Sequence, residues 1–240
     1  MASRRRSELL MTCAIITGAS SGLGAAIYNG LLAHYDQTIG WDLKTGVDVT
    51  DEESIFKAME HWPIGMRVHT LVNCAGVNKL AWLADDNWFT TWYDCLNTNA
   101  LGIALVTKQL LHRLNGGTIC NIISNAAHKP MRASLAYNTS KAAAYMMTKQ
   151  MAHELWDDYR ITVFGVSPNR LRGTAMSNSV DEQVAKVRGW STLGVREMQM
   201  QAMPCGEETP PEVVAEFICW LLAEKKRHKY LHGAVLNYGA

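Results

Sequence analysis

Residues 12–24 read TCAIITGASSGLG, a short apolar run that leads directly into a glycine-rich turn. Gly18, Gly22 and Gly24 give this turn the spacing G-x-x-x-G-x-G. Glycines let the chain bend sharply and bring backbone N–H groups close to a phosphate, and the start of the following helix adds a partial positive charge. The stretch therefore predicts a strand, a turn and a helix that bind a dinucleotide, and the alternative is a plain strand-to-helix turn without a ligand. The predicted cofactor contacts in this turn are Gly18, Ser20, Ser21, Gly22, Leu23 and Gly24.

Beyond this turn, apolar runs alternate with longer segments of helical periodicity. Strands are predicted at 12–17, 37–41, 46–49, 67–76, 116–124, 161–168 and 233–240. Helices are predicted at 22–35, 51–62, 87–114, 135–159 and 210–225, and 168–209 shows no regular period. Such alternation predicts an α/β fold of the Rossmann type: a doubly wound, mostly parallel sheet with helices on both faces. We expect a single NAD(P)-binding domain over 1–240, with a flexible tail at 1–10.

Asp42 follows the second predicted strand, 42 − 24 = 18 residues after Gly24. A carboxylate at that position can accept hydrogen bonds from both hydroxyls of an adenosine ribose, and it repels a 2′-phosphate. Lys44 is near enough to offset part of that repulsion. The sequence therefore favours NAD over NADP as the cofactor.

Tyr137 and Lys141 stand four positions apart in AYNTSK, residues 136–141, and on a helix they share one face. A phenol has a reference pKa of about 10, and a neighbouring ammonium lowers it by stabilising the phenolate. Ser124 ends a predicted strand 137 − 124 = 13 residues upstream, at the edge where open α/β sheets bind ligands. Tyr137 is therefore the predicted general acid/base, although a tyrosine and a lysine on a solvated helix surface can have the same spacing.

Together these segments resemble the compact branch of the short-chain dehydrogenase/reductase family. The matching elements are TGASSGLG (17–24), Asp42, DVTD (48–51), NCAG (73–76), NTNALG with Asn99, IIS ending at Ser124, YNTSK (137–141), VSPN (166–169) and the terminal GAVLNYGA. They follow the order of the family over essentially the whole chain. The resemblance implies an NAD(P)(H)-dependent alcohol dehydrogenase or carbonyl reductase that interconverts a secondary alcohol and a ketone by hydride transfer.

The resemblance also implies roles for individual residues. Tyr137 matches the general acid/base, and Lys141 matches the residue that lowers its pKa and binds the nicotinamide ribose. Ser124 matches the group that polarises the substrate oxygen, and Asn99 matches the helix residue that supports a proton-relay water. The remaining cofactor contacts that it implies are Asp48, Val49, Asn73, Ala75, Gly76, Pro168 and Thr174.

Three positions depart from the family pattern. Cys74 stands where an asparagine is usual, and Asn169 stands where a glycine follows the proline. Thr174 lies 174 − 168 = 6 positions after Pro168, one more than the pattern has.

Composition and charge argue against several other classes of function. The formal net charge of +1 gives no field for binding nucleic acid. No segment has the roughly 20 consecutive apolar residues that cross a bilayer. The six cysteines show neither a CxxC pair nor a Cys/His metal spacing. We therefore expect reduced thiols, a cytoplasmic location, and neither a metal nor a nucleic-acid or membrane partner.

The substrate side is the part that the sequence leaves open. His128 and Arg132 precede the predicted Tyr137 helix, where they either contact the substrate or lie in a solvated loop. The segment 175–205 is predicted to be an irregular substrate lid. Its apolar side chains favour a partly apolar substrate: Met176, Trp190, Leu193, Met198, Met200 and Met203. The arginines in and beside it favour an anionic substrate instead: Arg170, Arg172, Arg188 and Arg196.

Two other functions use parts of the same pattern. A non-catalytic dinucleotide-binding sensor or scaffold would need the glycine turn but not the Tyr137–Lys141 pair. An epimerase or dehydratase shares that pair, but its substrate domain is not expected in 240 residues. The resemblance further implies a homodimer or homotetramer that acts on a small alcohol or ketone, with helices 88–114 and 135–159 as contact surfaces.

Overall fold

The computed structural model describes residues 11–203, 205–224 and 228–239. In these residues the strands β1 to β6 form one sheet: β1 (Cys13–Thr17), β2 (Gln37–Trp41), β3 (Thr70–Asn73), β4 (Thr118–Ile122), β5 (Thr162–Pro168) and β6 (Val235–Tyr238). The order is β2-β1-β3-β4-β5-β6, and every neighbouring pair is parallel. The direction of winding reverses between β1 and β3, which is where a doubly wound sheet opens a crevice for a ligand.

The helices connect these strands and cover both faces of the sheet. They are α1 (Gly22–Leu31), α2 (Glu52–Met59), α3 (Trp88–Leu96), α4 (Gly102–Leu110), α5 (Leu135–Tyr159), α6 (Ala175–Arg188), α7 (Thr192–Gln201) and α8 (Pro211–Leu222). The predicted α/β class with a parallel sheet is confirmed. None of the described helices is both long and apolar enough to span a membrane.

Neighbouring residues of the central strands belong to two separate cores. Ile15 and Leu71 are fully buried against α2, α4 and α5. The next residue in each strand, Ile16 and Val72, is fully buried against α1 and α8. Side chains alternate across a strand, so a strand with two buried faces must be apolar at consecutive positions. The continuous apolar runs in the sequence have this origin.

The strand predicted at 46–49 is absent, and that prediction was wrong. Asp42 caps a short 3-10 turn over Leu43–Thr45 by accepting a hydrogen bond from the Lys44 N–H, and Gly46 then takes a left-handed conformation with φ 82°. The chain folds back on itself, because the Val47 N–H donates to the Asp42 carbonyl oxygen at 2.9 Å. The segment is therefore used in a turn and cannot extend as a strand.

The helix predicted at 87–114 is interrupted at its centre. A π-helical turn, Asn97–Leu101, joins α3 to α4 and contains Asn99. A π turn has hydrogen bonds between residues i and i+5, so it is wider than an α-helical turn. Such turns within α-helices are frequent at functional sites. The sequence periodicity predicted the helix but gave no sign of this turn.

The segment 175–205 is mostly helical, so the prediction of an irregular loop was wrong. The Thr174 side chain caps α6 by accepting from Ser177 N, and Ser191 caps α7 by accepting from Gly194 N. Gly189 ends α6 in a left-handed conformation with φ 67°. The helical periodicity of apolar residues is weak in this segment because the sequence of α6 is largely polar. The proposed lid role stays a prediction, and the tail predicted at 1–10 lies outside the described residues.

Candidate active site

A cavity of about 850 Å³ lies beyond the carboxyl ends of the central strands. Its walls come from the β1–α1 turn, from the segments that follow β2 to β5, and from α6 and α7. Its position matches the crevice expected where the winding of the sheet reverses.

The glycine turn fits closely under the end of β3. Gly18 has φ +69°, and a side chain there would bring Cβ to 2.8 Å from the Ala75 Cα. At Gly24 a Cβ would lie only 2.1 Å from the Gly18 carbonyl oxygen. Ser21 precedes α1 but makes no side-chain cap to it. The N–H groups of the first turn of α1 are therefore free of a side-chain cap, as binding of a pyrophosphate requires.

Two carboxylates lie on the wall beyond β2. Asp42 accepts a hydrogen bond from Lys44 N at 2.9 Å and one from Ser20 N at 3.3 Å. Asp48 accepts from Thr50 N at 2.8 Å and from the Thr50 hydroxyl at 2.7 Å. Both carboxylates are thus held in place against the cavity wall, whereas Lys44 is not among the lining residues.

Tyr137, Lys141 and Ser124 all line the cavity. Tyr137 and Lys141 lie one turn apart on α5, and both are buried. The Lys141 Nζ lies 6.0 Å from the centroid of the Tyr137 ring and donates to the Ile122 carbonyl oxygen at 2.9 Å. The Ser124 hydroxyl lies close enough to the Tyr137 phenol to influence its pKa. The three predicted groups are therefore brought together.

Burial is the main influence on the pKa values of Tyr137 and Lys141. Burial raises the pKa of Tyr137, and the neighbouring Ser124 hydroxyl lowers it by a smaller amount. Desolvation of the phenolate thus dominates the pKa of Tyr137, and the lowering of this pKa by Lys141 stays a prediction. Burial also lowers the pKa of Lys141 to about 8, so its ammonium is still the main form at neutral pH.

Asn99 is fully buried in the π turn, and its side chain is used in a structural role. Its Oδ1 accepts from Val77 N at 2.8 Å, and its Nδ2 donates to the Val77 carbonyl oxygen at 2.8 Å and to the Ser140 hydroxyl at 2.9 Å. A Cβ on Gly76 would lie 3.0 Å from the Asn99 Oδ1 and 3.7 Å from the Lys141 Nζ. Asn99 therefore joins the segment after β3 to α5, directly beside Lys141.

Most of the predicted site residues line the cavity. Those that do so are Gly18, Ser21, Gly22, Leu23, Gly24, Asp42, Asp48, Val49, Ala75, Gly76, Ser124, Tyr137, Lys141, Pro168 and Thr174. A Cβ on Gly22 would meet the Thr174 methyl group at 3.5 Å, which puts Thr174 against the glycine turn.

Ser20, Asn73 and Asn99 lie outside the cavity lining. Asn73 is buried in the sheet, where its Nδ2 donates to the Asn121 Oδ1 at 2.9 Å. A buried amide requires such a partner, so the side chain points into the core rather than towards a ligand.

Sequence reasoning missed several residues that shape the cavity. Gln183 on α6 accepts from Leu80 N at 2.8 Å and donates to the Asn78 carbonyl oxygen at 3.1 Å. These bonds attach α6 to the segment after β3. The residues that line the cavity and were missed come from α6 and from the loop before α5: Val180, Val184, Pro130 and Met131. The N-cap residue Thr174, followed by helix-compatible residues, was the signal that could have located α6.

Comparison with known proteins identifies the family. The family model of the short chain dehydrogenases matches residues 40–185. Sorbitol-6-phosphate 2-dehydrogenase from Klebsiella pneumoniae is 27% identical over 255 residues, which cover 93% of this chain and 92% of that enzyme. A short chain dehydrogenase family protein from Francisella tularensis subsp. tularensis SCHU S4 has a similar fold, with a TM-score of 0.80 at 20% identity and coverage of 95% and 96% of the two chains. The structure of actinorhodin polyketide ketoreductase with NADPH gives a TM-score of 0.77 at 26% identity and covers 95% of each chain.

The chain belongs to the short-chain dehydrogenase family. It is an enzyme of the oxidoreductase type, and the family binds NAD or NADP. Within the described part of the chain, no three His, Cys, Asp or Glu side chains are grouped as metal ligands.

Proposed function

We propose that this protein interconverts a secondary alcohol and a ketone, as an NAD(P)(H)-dependent alcohol dehydrogenase or carbonyl reductase. The observation that carries the proposal is the buried Tyr137 phenol, which lies beside the Ser124 hydroxyl and one helical turn from the Lys141 ammonium. This arrangement joins a proton-transfer group, a hydrogen-bond partner for the substrate oxygen, and a cation that favours the phenolate.

Each residue then has one task. Ser124 holds the substrate oxygen by a hydrogen bond. In alcohol oxidation Tyr137 takes the hydroxyl proton, and in ketone reduction it returns that proton to the oxygen. Lys141 stabilises the phenolate between these events. A nicotinamide bound in the cavity supplies the hydride acceptor or donor.

The β1–α1 turn is proposed to hold the pyrophosphate, and Asp42 the adenosine ribose. We propose NAD as the preferred cofactor, because Asp42 lines the cavity and Lys44 does not. The NADPH in the ketoreductase structure shows that the other choice occurs in a related protein.

A homodimer or homotetramer, with α3, α4 and α5 at the contact, is proposed as well. Large apolar side chains are exposed on α3, on α5 and on the π turn that joins α3 to α4: Trp88, Phe89, Tyr93, Leu101, Leu135 and Met146. Such patches are common at protein interfaces. A cytoplasmic location is proposed on the six free thiols.

The decisive experiment is the Tyr137→Phe variant, assayed against a broad panel of alcohols and ketones with NAD and NADP. Turnover is expected to fall about 10²–10⁴-fold, the usual contribution of a positioned general acid or base. Cofactor affinity, measured by nicotinamide fluorescence, should stay close to that of the wild type. The Tyr145→Phe variant on the same helix is the matched control and should keep its turnover.

Undiminished turnover in Tyr137→Phe would refute the mechanism. Cofactor binding by the wild type, with no hydride transfer to any member of the panel, would favour the alternative of a non-catalytic sensor or scaffold.

A further inference from the structure

The arginines around α6 and α7 differ in their partners. Three of them face carboxylates: Arg170 contacts Asp181 and Glu208, Arg172 contacts Glu207, and Arg196 approaches Glu208. Arg188 has no ion pair with any carboxylate in the described part of the chain. Arg188 is half-buried at the end of α6, and it lines the cavity.

Arg188 is held by an aromatic ring instead of a carboxylate. Its guanidinium carbon lies 5.0 Å from the centroid of the Trp190 ring. A guanidinium on an indole face is kept in place while its N–H donors stay available to an anion. An arginine that served only to stabilise the fold would be expected to use those donors within the protein.

A second arginine reaches the same cavity in the same manner. Arg132, in the loop between Ser124 and α5, lies 5.5 Å from the centroid of the Trp82 ring. It too has no ion pair with a carboxylate among residues 11–203, 205–224 and 228–239. The Lys129 side chain lines the cavity from the same loop.

The carboxylates of the cavity wall are too distant to neutralise these cations. Asp42 and Asp48 follow β2, whereas Arg132 follows β4 and Arg188 lies beyond β5. The strands β1 and β3 separate β2 from β4. Three strand spacings amount to roughly 14 Å, too far for an ion pair. The cavity is therefore acidic at its β2 edge and basic beside α6.

We propose that the substrate carries an oxyanion, a carboxylate, phosphate or sulfonate, and that Arg188 and Arg132 bind it. The inference rests on the proposed function, because it places the reacting carbon at Ser124 and Tyr137 and the anion towards the end of α6. Val180 and Val184, which precede Arg188 on α6, also line the cavity. In such an apolar surrounding a charge-assisted, bidentate hydrogen bond from an arginine is stronger than in water.

The test compares ketones that differ in charge but share a carbon skeleton. One pair is 4-acetylbenzoate and acetophenone, and a second is dihydroxyacetone phosphate and dihydroxyacetone. The wild-type holoenzyme is expected to have at least a tenfold higher kcat/KM for the anionic member of at least one pair. Arg188→Gln should reduce this ratio of anionic to neutral substrate at least tenfold, and Arg132→Gln should reduce it in the same direction.

Arg160→Gln is the matched control. Arg160 also lies over a tryptophan, with its guanidinium carbon 5.5 Å from the centroid of the Trp156 ring, but it does not line the cavity. Its substitution should leave the ratio unchanged. Equal or greater preference for the neutral ketones by the wild type would overturn the inference, and so would an unchanged ratio in Arg188→Gln.

Calorimetric titration separates this inference from the proposed function. The cofactor-loaded protein is titrated with 4-acetylbenzoate and with acetophenone, whether or not either is turned over. Tighter binding of the carboxylate that Arg188→Gln removes would support the anion site even if no ketone is reduced. Absence of any binding that depends on Arg188, in a protein that does reduce neutral ketones, would overturn the anion site and leave the proposed function standing.

Discussion

The two ends of the cavity are built by different means. At the cofactor end the bonds involve the backbone: Gly18 N donates to the Trp41 carbonyl oxygen at 2.7 Å, and Ala75 N donates to the Thr17 hydroxyl at 3.0 Å. At the substrate end, side chains such as Gln183 and Arg170 hold α6 in position. Contacts of the backbone hold only while the chain keeps its geometry, so a side chain that would collide with the turn, as at Gly18 or Gly24, is excluded. Contacts between side chains can be exchanged without rebuilding the sheet, which suits an end that selects a substrate.

The largest effect is expected at the cofactor end, where the addition of a single methyl group should disrupt the glycine turn. In Gly24→Ala the new Cβ would lie 2.1 Å from the Gly18 carbonyl oxygen, so the glycine turn must move. Cofactor affinity should fall about 100-fold, since the loss of one or two hydrogen bonds to the charged pyrophosphate, each contributing about 1.5–3 kcal/mol, has that effect. Titration followed by nicotinamide fluorescence measures the change.

The same substitution at the substrate end is the control. Gly194 lies within α7, and a Cβ there would meet only the Ser191 hydroxyl, at 3.3 Å. Gly194→Ala should bind cofactor as the wild type does. Equal loss of affinity in both variants would remove the proposed difference between the two ends.

The second prediction concerns the arginine that attaches the substrate end. Arg170 donates to Asp181 at 2.8 Å and to Glu208, and its side chain is only 12% exposed. Arg170→Met leaves Asp181 without its ion pair and Glu208 with only the 4.0 Å contact to Arg196, which should cost about 3 kcal/mol in the free energy of unfolding. Residues 175–203 should then exchange their amide hydrogens faster, whereas 12–17 should not.

Arg172→Met provides the comparison for this variant. The Arg172–Glu207 pair has side chains that are 50% and 66% exposed. An exposed pair contributes at most about 1 kcal/mol. Chemical denaturation of both variants would show the difference, and similar losses of stability would refute the role of Arg170 as the attachment of α6.

The contrast between the two ends also explains what the sequence could predict. Consecutive apolar residues such as Ile15 and Ile16 reflect strands buried on both faces, so the sheet was predictable. The glycine turn, Ser124 and Tyr137 were recognisable because their spacing along the chain follows from strand and helix geometry. The helix α6 was not, because its contacts are polar and distant in sequence, as Gln183 with Leu80 illustrates. The direction of the Tyr137 pKa depends on burial, which periodicity does not measure.

The third prediction is a gain in stability when the buried charge of Lys141 is removed. The buried Lys141 has a pKa lowered from 10.5 to about 8 by desolvation. Such a change corresponds to at most about 3 kcal/mol of unfavourable interaction while the lysine is charged. Lys141→Met should therefore lose activity yet raise the free energy of unfolding at pH 7 by about 1 to 3 kcal/mol.

The pH dependence of this gain has a definite sign. Below about pH 8 the lysine is charged in both the folded and the unfolded chain, so the full penalty applies. Between about pH 8 and 10.5 the unfolded chain binds more protons than the folded one, so the wild type gains stability as pH rises. The advantage of Lys141→Met should shrink over that interval. Lys149→Met, at an exposed site on the same helix, should change stability by less than about 0.5 kcal/mol at every pH.

The smallest effect is expected at the β2 edge of the cavity, where Asp42 is proposed to select NAD. Asp42→Asn removes the charge that would repel a 2′-phosphate and keeps one acceptor oxygen, for the Lys44 N–H at 2.9 Å, while the longer bond from Ser20 N at 3.3 Å is lost. The ratio of kcat/KM with NAD to that with NADP should fall about tenfold, equivalent to about 1.4 kcal/mol.

Asp48→Asn is the matched control, because Asp48 lines the same edge but is bound to Thr50. Its loss should weaken both cofactors alike and leave the ratio unchanged. A wild type that prefers NADP, with a ratio insensitive to Asp42→Asn, would mean that the carboxylate serves the turn over Leu43–Thr45 and that cofactor choice is made elsewhere on this edge.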